Sequence, residues 1–466
     1  MEKDIIVLGG GPGGYVAAIR ASQLGAKVTV VEREKIGGTC LNKGCIPTKA
    51  LYKNAEIINQ LKSINEFGIG IDGFQIDMVK IIKRKQDIVT RLTNGVEQLL
   101  KANSIEVVYG DGKLVDRETV EVTNAKGKVF NLKGKNILIS TGSRPATPLI
   151  PGVELPGIMT SEDILEGESI PKSLIIIGGG VIGIEYACIF NALGAEVTVL
   201  EFLPRILANL DSEISKRMPL FLKKKGIIIE TDTMVKKIIG ADQGYDVLVE
   251  GKKGEKHIHS EAILISTGRL PNVEGLNLDT LGISYDKKGI KVDESFCTNV
   301  PGIYAIGDVI GGYMLAHVAS EEGKTAVENI MGLKSHMNYN AVPSCIFSFP
   351  EVATVGLTEE EAQKEGINYS SGKFMFGANG KAMTLGEEDG FIKVLTEKET
   401  GIIIGVHIIG PHASDLIQEG VLVVQNKMTV EEISKVVHAH PTLSEAFVEA
   451  ALAAEGRAIH VVPRKI

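Results

Sequence analysis

The chain has few cysteines and no excess of positive charge. Only five cysteines occur in 466 residues, and so sparse and odd a count does not build the disulfide framework of a secreted protein. Lysines and arginines number 50 against 58 aspartates and glutamates, for a net charge of −8, which argues against a nucleic acid as the main partner. We therefore expect a cytoplasmic protein, a setting in which a cysteine pair is more often catalytic or metal-binding than structural.

Targeting and membrane-spanning segments are also lacking. The chain passes from a few polar residues into IIVLGGG, an apolar run too short for a signal peptide and without a cleavage site. The most apolar window, SLIIIGGGVIGIEYACIF at 173–190, contains Glu185 and several glycines, which is typical of a strand, a turn and a helix rather than of a membrane span. We expect no membrane partner, and a chain of this length predicts about two to four domains.

Glycine, in contrast, is abundant, with 53 residues against 16 prolines. DIIVLGGGPGGYVAAIRASQLGAKVTVVER (4–33) and SLIIIGGGVIGIEYACIFNALGAEVTVLEF (173–202) repeat one pattern: an apolar run, a glycine turn, a helix and a second apolar run that ends in an acid. In such a unit the first glycine makes the turn, the second lets the backbone approach a pyrophosphate, and the third packs the helix on the strand. The glycines and acids are Gly9, Gly11, Gly14 and Glu32 in the first copy and Gly178, Gly180, Gly183 and Glu201 in the second.

Two dinucleotide sites in one chain predict two dinucleotides that exchange electrons, typically a flavin and a nicotinamide. A glycine turn alone is weak evidence, because such turns also serve packing, but here a strand, a helix and an acid accompany each turn. A carboxylate at the end of the second strand can accept hydrogen bonds from both ribose hydroxyls, and Glu201 would repel a 2′-phosphate, so NAD is favoured over NADP. Phe202 and Leu203 follow Glu201, with only Arg205 nearby.

The second glycine unit is predicted to be an insertion in the first domain. The Pro/Gly-rich stretch TGSRPATPLIPGVELPG (141–157) and its echo TGRLPN (267–272) are interpreted as the two crossings between domains. Beyond about residue 336, short β-branched runs precede helical patterns. We predict an α/β fold with two Rossmann-like domains, 1–145 with 271–335 and the inserted 146–270, followed by an α+β domain at 336–466.

A long amphipathic helix is predicted between the glycine units, over residues 75–103. The basic run at its start, Lys80, Lys83, Arg84 and Lys85, is interpreted as a solvated helix face. Apolar residues at helical spacing form a stripe that is expected to face the core: Val79, Ile82, Val89, Leu92, Val96 and Leu99.

The stretch GGTCLNKGCIPTKA (37–50) contains Cys40 and Cys45. On a regular helix their Cα atoms would lie about 8–9 Å apart, whereas a disulfide needs about 4.4–6.8 Å. The two cysteines can therefore form a disulfide only if one of them lies off the helix or the helix is distorted between them, and Gly37, Gly38 and Gly44 supply that freedom.

Three interpretations of this pair compete. A zinc clip needs two further ligands, and Cys188, Cys297 and Cys345 are isolated in the sequence. A purely structural bridge across so short a loop would add little stability in the cytosol. A redox-active pair suits a chain with two dinucleotide sites, so this interpretation is favoured and no metal is expected.

A redox-active pair that exchanges with substrate thiols needs a base. HAHPTLSEAF near the C-terminus offers His440, with Glu445 five residues later. A carboxylate that accepts from one imidazole nitrogen fixes the tautomer and raises the basicity of the other nitrogen. A histidine near a glutamate is more often a surface or packing pair, but beside a redox pair and two nucleotide sites the catalytic interpretation is favoured.

Together these motifs resemble the flavoprotein pyridine-nucleotide disulfide oxidoreductases, over essentially the whole chain. Within that family, the similarity is greatest to the branch that oxidises dihydrolipoyl groups and reduces NAD. The residues that carry the resemblance are GGTCLNKGCIPTKA, the two glycine units, YAIGDV (304–309), MLAHVASEEG (314–323), PSCIFSFPEVATVGLTEEEA (343–362) and HAHPTLSEA (438–446).

The resemblance implies an FAD-binding domain at 1–145 and 271–335, a NAD-binding domain at 146–270 and a dimerisation domain at 336–466. Cys45 would face the flavin as a thiolate, Cys40 would exchange with substrate, and Lys49 would lie by the flavin and pair with Glu185. The implied FAD residues are Gly9, Gly11, Gly14, Glu32, Lys49, Gly112, Thr141, Gly142, Gly307, Asp308 and Ala316. The implied NAD residues are Gly178, Gly180, Gly183, Glu201 and Gly268. The implied catalytic residues are Cys40, Cys45, Lys49, Glu185, His440 and Glu445.

The resemblance also implies partners. The active site of a homodimer would be completed across the interface, with His440 serving the cysteines of the other chain, and the substrate would be lipoyl groups on the acyltransferase or carrier protein of a multienzyme complex. The chain starts at its first strand and ends AIHVVPRKI, so neither a fused lipoyl domain nor the cysteine tail of some relatives is expected. Two alternatives stay open: an NAD(P)H-dependent reductase of glutathione or coenzyme A disulfide, and a mainly structural complex subunit.

Overall fold

The computed structural model describes residues 2–462; Met1 and residues 463–466, with the end of the cysteine-free tail, lie outside the described residues. The first part of the chain builds a sheet around the first glycine unit, in the strand order β3-β2-β1-β6-β5-β4. Its elements are β1 (Lys3–Leu8), α1 (Pro12–Gln23), β2 (Val28–Glu32), α2 (Gly38–Lys43), α3 (Cys45–Ser63), α4 (Met78–Ala102), β3 (Glu106–Tyr109), β4 (Asp111–Asp116), β5 (Thr119–Thr123), β6 (Val129–Ile139) and β7 (Ser143–Pro145).

The central strands of this sheet are parallel and buried. β1 pairs with β2, with Ile5 opposite Val28, and with β6 on its other side, with Ile6 opposite Ile137. β2 is buried at all five positions. Burial at every position is typical of parallel strands that are covered on both faces.

The second glycine unit forms a separate parallel sheet, in the order β11-β10-β9-β15-β8, beside an antiparallel sheet β12-β13-β14. The elements of this part are β8 (Met159–Thr160), β9 (Ser173–Ile177), α5 (Val181–Leu193), β10 (Glu196–Leu200), α6 (Ser212–Lys224), β11 (Ile228–Glu230), β12 (Met234–Gly240), β13 (Tyr245–Gly251), β14 (Gly254–Ser260), β15 (Ala262–Ile265) and β16 (Arg269–Pro271).

After this second unit the chain returns to the first sheet. β7 and β16 pair antiparallel where the chain leaves and comes back, with Ser143 opposite Pro271. β19 then adds to β6 in parallel, with Ile303 opposite Ile137. The predicted α/β fold, with one dinucleotide unit inserted in the other, is confirmed. The elements of this return are β17 (Tyr285–Asp286), β18 (Gly289–Ile290), β19 (Ile303–Ala305) and α7 (Ala316–Ile330).

The C-terminal part is a five-stranded antiparallel sheet covered by helices, in the order β20-β21-β24-β23-β22. β23 is buried at its first six positions, because α10 and α12 both pack on this sheet. Its elements are β20 (Ser344–Ile346), β21 (Glu351–Gly356), α8 (Glu359–Lys364), β22 (Tyr369–Met375), α9 (Gly380–Leu385), β23 (Phe391–Glu397), β24 (Ile403–Gly410), α10 (Ala413–Gln425), α11 (Val430–Ile433) and α12 (Glu445–Ala454).

A buried ion pair joins the second glycine unit to the C-terminal sheet. Asp211 precedes α6 and Lys393 lies in β23, and both side chains are at most 1% exposed. The Lys393 ammonium donates to both Asp211 carboxylate oxygens at 2.9 Å and lies 3.0 Å from the Glu359 carboxylate. Since a buried charge needs a partner, these contacts tie the two parts of the chain together.

The predicted long helix is present as α4, but its apolar stripe is only partly buried. Val89 and Val96 lie in the core, whereas Val79, Leu92 and Leu99 are 60%, 41% and 53% exposed. Val89 and Val96 are seven residues apart and so lie on one helix face, whereas Val79, Leu92 and Leu99 are rotated about 60–80° from Val89 and lie at the edges of that face. The prediction of a core-facing stripe is therefore wrong at these three positions.

The basic run at the start of α4 is not solvated throughout. Lys85 is 1% exposed, and its ammonium donates to the Leu165 carbonyl at 2.7 Å and to Glu166 Oε1 at 2.8 Å. Lys85 precedes the buried Val89 by four residues and therefore points toward the core, where these two oxygens compensate its charge. Among residues 2–462, no helix has both the length and the apolar content needed to cross a membrane.

Candidate active site

One cleft of about 2490 Å³ runs along both glycine units and past the cysteine pair. All of the predicted cofactor residues line it except Gly14 and Gly183. These two third glycines lie beneath the turns, where an added Cβ would come within 1.9 Å of the Gly9 carbonyl oxygen or 2.1 Å of the Gly178 carbonyl oxygen. They therefore have the packing role predicted for them, and the remaining residues form the wall of a space large enough for two dinucleotides.

The turn after β1 fits the pyrophosphate of a dinucleotide. Gly11 directly precedes α1, so the N–H groups of the first helical turn face the cleft without a capping side chain among the described residues. The turn before α2 comes so close that a Cβ on Gly38 would lie 2.7 Å from the Gly11 Cα. Gly180 precedes α5 in the same way, and the space around it is open to 4 Å within the described part of the chain. The backbone at both turns can therefore approach a phosphate.

The acid of each unit holds its own glycine turn. Glu32 accepts the Gly10 N–H and the Glu34 N–H, both at 2.7 Å. Glu201 accepts the Gly179 N–H at 2.6 Å and the Leu203 N–H at 2.7 Å. Each carboxylate oxygen has a second lone pair, so a ribose hydroxyl can still be bound while the turn stays fixed. The sequence pattern predicted that each acid binds a ribose, but it did not predict that each acid also accepts backbone N–H groups of its own glycine turn.

The two cysteines lie on either side of a helix break. α2 contains Cys40 and ends at Lys43, while Cys45 begins α3. Gly44 between the helices has φ −144° and ψ −112°, and Gly37 before α2 has φ +96°, a left-handed conformation that favours glycine. The helix is thus interrupted between the cysteines, which is one of the two conditions that a Cys40–Cys45 bridge requires, and their two thiols form a hydrogen bond.

The charge of the pair belongs on Cys45. A hydrogen bond with the Cys40 thiol lowers the pKa of Cys45 to about 7; burial opposes this shift, and the Lys49 ammonium supports it. The same hydrogen bond and burial raise the pKa of Cys40. When one proton leaves the pair, the thiolate therefore forms at Cys45.

Lys49 forms the ion pair that was expected for it. Its ammonium donates to Glu185 Oε1 at 2.9 Å and to Oε2 at 2.8 Å, and it lies 4.5 Å from the centre of the Phe347 ring. The Phe347 N–H donates to Glu185 Oε1 at 3.0 Å. The pair joins α3, which begins at Cys45, to α5 of the second glycine unit, and the buried acid in that apolar helix is thereby explained.

Gly307 and Asp308 are held by residues that sequence reasoning missed. Glu322 is 2% exposed; it accepts the Gly307 N–H and the Tyr339 hydroxyl, both at 2.7 Å, and burial raises its pKa. Ser143 donates to Asp308 Oδ2 at 2.5 Å. A signal for Glu322 existed, because an acid four residues after Val318 falls on the buried face of α7.

His440 and Glu445 form the predicted pair but lie outside the cleft. His440 Nδ1 is 2.8 Å from Glu445 Oε1, and the Thr442 N–H donates to Glu445 Oε2 at 2.9 Å. This backbone hydrogen bond is the main reason that the pKa of Glu445 lies below its ordinary value. The His440 side chain is 80% exposed. Within one chain the imidazole is therefore oriented by its carboxylate but does not belong to the wall around Cys40.

Comparison with known proteins decides the family. The family model described as pyridine nucleotide-disulphide oxidoreductase matches residues 3–323. The chain belongs to this family. The model for the dimerisation domain of pyridine nucleotide-disulphide oxidoreductases matches residues 342–451, which supports the predicted homodimer. The predicted cofactors of this pyridine nucleotide-disulphide oxidoreductase, FAD and NAD, are confirmed by its family.

Individual relatives cover nearly the full length of this pyridine nucleotide-disulphide oxidoreductase. It is 46% identical to a dihydrolipoyl dehydrogenase of Bacillus subtilis (strain 168), over 98% of this chain and 99% of that protein. It is 42% identical to the mitochondrial dihydrolipoyl dehydrogenase of Pisum sativum, over 99% of this chain and 93% of that protein. The crystal structure of LpdA from Mycobacterium tuberculosis superimposes with a TM-score of 0.89 at 26% identity, and the match covers 96% of this chain and 99% of that chain.

Proposed function

We propose that the chain is a dihydrolipoyl dehydrogenase, which oxidises dihydrolipoyl groups with reduction of NAD. The observation that carries this proposal is the Cys40–Cys45 pair, held at a helix break in the cleft that also runs along both dinucleotide turns. Relatives with this activity in their names, 46% and 42% identical over nearly the whole chain, support the same substrate.

The reaction of the cysteines begins with the pair as a disulfide. One substrate thiol loses its proton to His440 and attacks the Cys40 sulfur, so that a mixed disulfide forms and the Cys40–Cys45 bond breaks. The second substrate thiol then attacks the first substrate sulfur, which closes the lipoyl disulfide and releases Cys40. The substrate loses two electrons and the cysteine pair gains them; of the two substrate protons, one ends on Cys40 and the other leaves through His440.

The two cysteines have unequal roles in this exchange. A thiol with a lower pKa is the better leaving group in thiol–disulfide exchange, and the pKa of Cys45 is lowered while that of Cys40 is raised. Attack at Cys40 with departure of Cys45 is therefore the favoured direction. Lys49 contributes by stabilising the Cys45 thiolate, and Glu185 contributes by holding Lys49.

The base is supplied by a second chain. Glu445 accepts from Nδ1 of His440, which directs Nε2 outward as the proton acceptor. Because His440 lies outside the cleft of its own chain, we place it at the Cys40 of the partner chain in a homodimer. The site is then complete only in the dimer.

The chain's own residues hold the cofactors. The first glycine turn, Glu32 and Asp308 would hold FAD, and the second glycine turn with Glu201 would hold NAD. When bound, FAD supplies the two-electron chemistry that links a dithiol to a nicotinamide. The remaining proposed cofactor residues are Lys49, Gly112, Thr141, Gly142, Gly307 and Ala316 for FAD, and Gly268 for NAD.

We also propose the division into an FAD-binding domain (1–145 and 271–335), a NAD-binding domain (146–270) and a dimerisation domain (336–466). The antiparallel pairing of β7 with β16, where the chain crosses between the two sheets, supports the inner boundaries. Lipoyl groups on the acyltransferase or carrier protein of a multienzyme complex are the proposed partners, and the cytoplasm is the proposed location.

The substrate is tested by measuring NADH formation with dihydrolipoamide, reduced glutathione and coenzyme A as thiol substrates. The proposal predicts turnover with dihydrolipoamide that exceeds turnover with either monothiol by orders of magnitude. A purified protein that binds flavin but turns over glutathione or coenzyme A at least as well would contradict the proposed substrate. A protein without bound flavin and without turnover would favour a structural subunit.

A further inference from the structure

Arg205 lies on the wall of the cleft, four residues after Glu201. Its guanidinium is fixed at both ends: Nη1 lies 2.9 Å from Glu360 Oε1 and Nη2 donates to the Ala208 carbonyl at 2.9 Å. The other Glu360 oxygen accepts the Ser212 N–H at 3.2 Å. Glu360, from the C-terminal part of the chain, therefore compensates the charge of Arg205. Arg205 is the arginine nearest in sequence to Glu201, the proposed ribose ligand.

Glu360 is itself held firmly. It is the second residue of α8, whose first turn is closed by a capping box between Thr358 and Glu361. Its neighbour Glu359 lies 3.0 Å from the buried Lys393 ammonium. The backbone on both sides of Glu360 is thus anchored, which reduces the entropy cost of keeping its carboxylate at Arg205.

The position of Arg205 matters for the choice of nucleotide. NADP differs from NAD by a phosphate on the adenosine ribose, and arginine is the side chain best suited to bind such a phosphate. A carboxylate at Glu201 disfavours this phosphate, yet a free guanidinium four residues away would partly offset that effect. Because Arg205 is paired with Glu360, its guanidinium is not free to reduce the repulsion between Glu201 and the phosphate.

We infer that Glu360 is a specificity-determining residue: by pairing with Arg205 it withholds the guanidinium from a 2′-phosphate and strengthens the preference for NAD. The inference rests on the proposed binding of the adenosine ribose at Glu201. Glu360, which lies outside the second glycine unit, would thus contribute to the selectivity for NAD over NADP.

The test is to measure binding of adenosine 2′,5′-bisphosphate and of 5′-ADP to the flavin-loaded protein by calorimetry. In Glu360→Gln we expect the Kd of the bisphosphate to fall about fivefold, the upper range for one exposed ion pair, while the Kd of 5′-ADP stays the same. Glu360→Ala is a second variant and should behave alike. An unchanged ratio of the two Kd values in both variants, with 5′-ADP still bound, would overturn the inference.

Arg205→Ala separates the arginine from the general loss of negative charge. Alone, it should leave the ratio of Kd values unchanged, since Glu360 already occupies the guanidinium. In the Glu360→Gln background it should restore the wild-type ratio. A weaker affinity for the bisphosphate in Arg205→Ala alone would show that the guanidinium is available in the wild type, and would overturn the inference.

Asp389→Asn is the matched charge control. Asp389 pairs with Lys224 of α6 at 3.0 Å, so this variant also removes one negative charge from an ion pair between the second glycine unit and the C-terminal part. Its ratio of Kd values should equal that of the wild type, and a shift as large as that of Glu360→Gln would assign the effect to net charge. If the wild type failed to bind 5′-ADP at all, the proposed nucleotide site itself would be contradicted.

Discussion

The Lys49 ammonium lies 2.8 Å from the Glu185 carboxylate and joins the redox helix to the second dinucleotide unit. Lys49 is one turn after Cys45 and contributes to the low pKa of that thiol. Glu185, at 5% exposure, lies where an unpaired carboxylate would be costly. The Lys49–Glu185 pair therefore has two effects: it stabilises the Cys45 thiolate and it holds α3 against α5.

The first prediction concerns the Cys45 thiolate. In a Cys40→Ser variant, which retains a hydroxyl donor beside Cys45, the fraction of Cys45 modified in a short iodoacetamide pulse should titrate with an apparent pKa near 7. The thiolate then increases as pH rises through 7. Adding Lys49→Met should move this pKa toward the ordinary cysteine value of about 8.5.

Lys53→Met is the matched control, because Lys53 lies one turn later in the same helix and pairs with Glu56 at 3.0 Å. It should leave the pKa of Cys45 where it is. Equal shifts in the Lys49 and Lys53 variants would show that helix charge in general, rather than the ammonium beside the thiol, sets the pKa.

The second prediction concerns the base. His440→Gln should lower dihydrolipoamide turnover about 10²- to 10⁴-fold, the usual contribution of general acid–base catalysis, with flavin content unchanged. His460→Gln is the control, because His460 Nδ1 pairs with Glu449 at 2.9 Å and its side chain is 72% exposed. Turnover of the His440 variant within a few-fold of wild type would remove this histidine from the mechanism.

The third prediction concerns Glu322, which accepts the Gly307 N–H from inside α7. Glu322→Ala leaves the buried Gly307 N–H without its acceptor, at a cost of about 1–3 kcal/mol, and removes the acceptor of the half-exposed Tyr339 hydroxyl. Flavin should be lost from this variant on gel filtration. Glu322→Gln keeps an oxygen for Gly307 and should retain flavin; equal flavin loss in both variants would point to the charge instead of the hydrogen bond.

The fourth prediction concerns the buried ion pair between Asp211 and Lys393. Asp211→Ala should lower the free energy of unfolding by about 3 kcal/mol, since it leaves a buried ammonium with less compensation. The double variant Asp211→Ala/Lys393→Met should recover most of that loss in urea denaturation followed by circular dichroism. A double variant as unstable as the single one would mean that lost packing, not the uncompensated charge, causes the effect.

Much of the candidate site could be predicted from sequence, because its signals are local. The glycine turns need close backbone approach at fixed spacing, and the structure places Gly9 and Gly178 at φ +104° and +114°. The distance between two cysteines on a regular helix showed that a bridge needs an off-helix cysteine or a distorted helix, and Gly44 supplies the interruption. Requirements of this kind involve a few neighbouring residues, so the sequence shows them directly.

Other features depend on contacts between distant parts of the chain. Glu322 was not predicted, because its partners, the Gly307 N–H and the Tyr339 hydroxyl, lie 15 and 17 residues away in the chain. Lys85 belonged to a basic run in the sequence, and the Leu165 carbonyl and Glu166 carboxylate that compensate its buried charge lie 80 and 81 residues away. The Arg205–Glu360 pair spans 155 residues. No local pattern contains such pairings.

Exchange of Cys40 with the substrate dithiol is the step on which the proposed reaction depends, and a Cys40→Ser variant removes the sulfur that it needs. The measurement is NAD reduction by dihydrolipoamide, together with the flavin absorbance of the purified variant. We expect a full complement of flavin and no dihydrolipoamide turnover above background. Turnover near the wild-type rate in a flavin-loaded Cys40→Ser protein would contradict it.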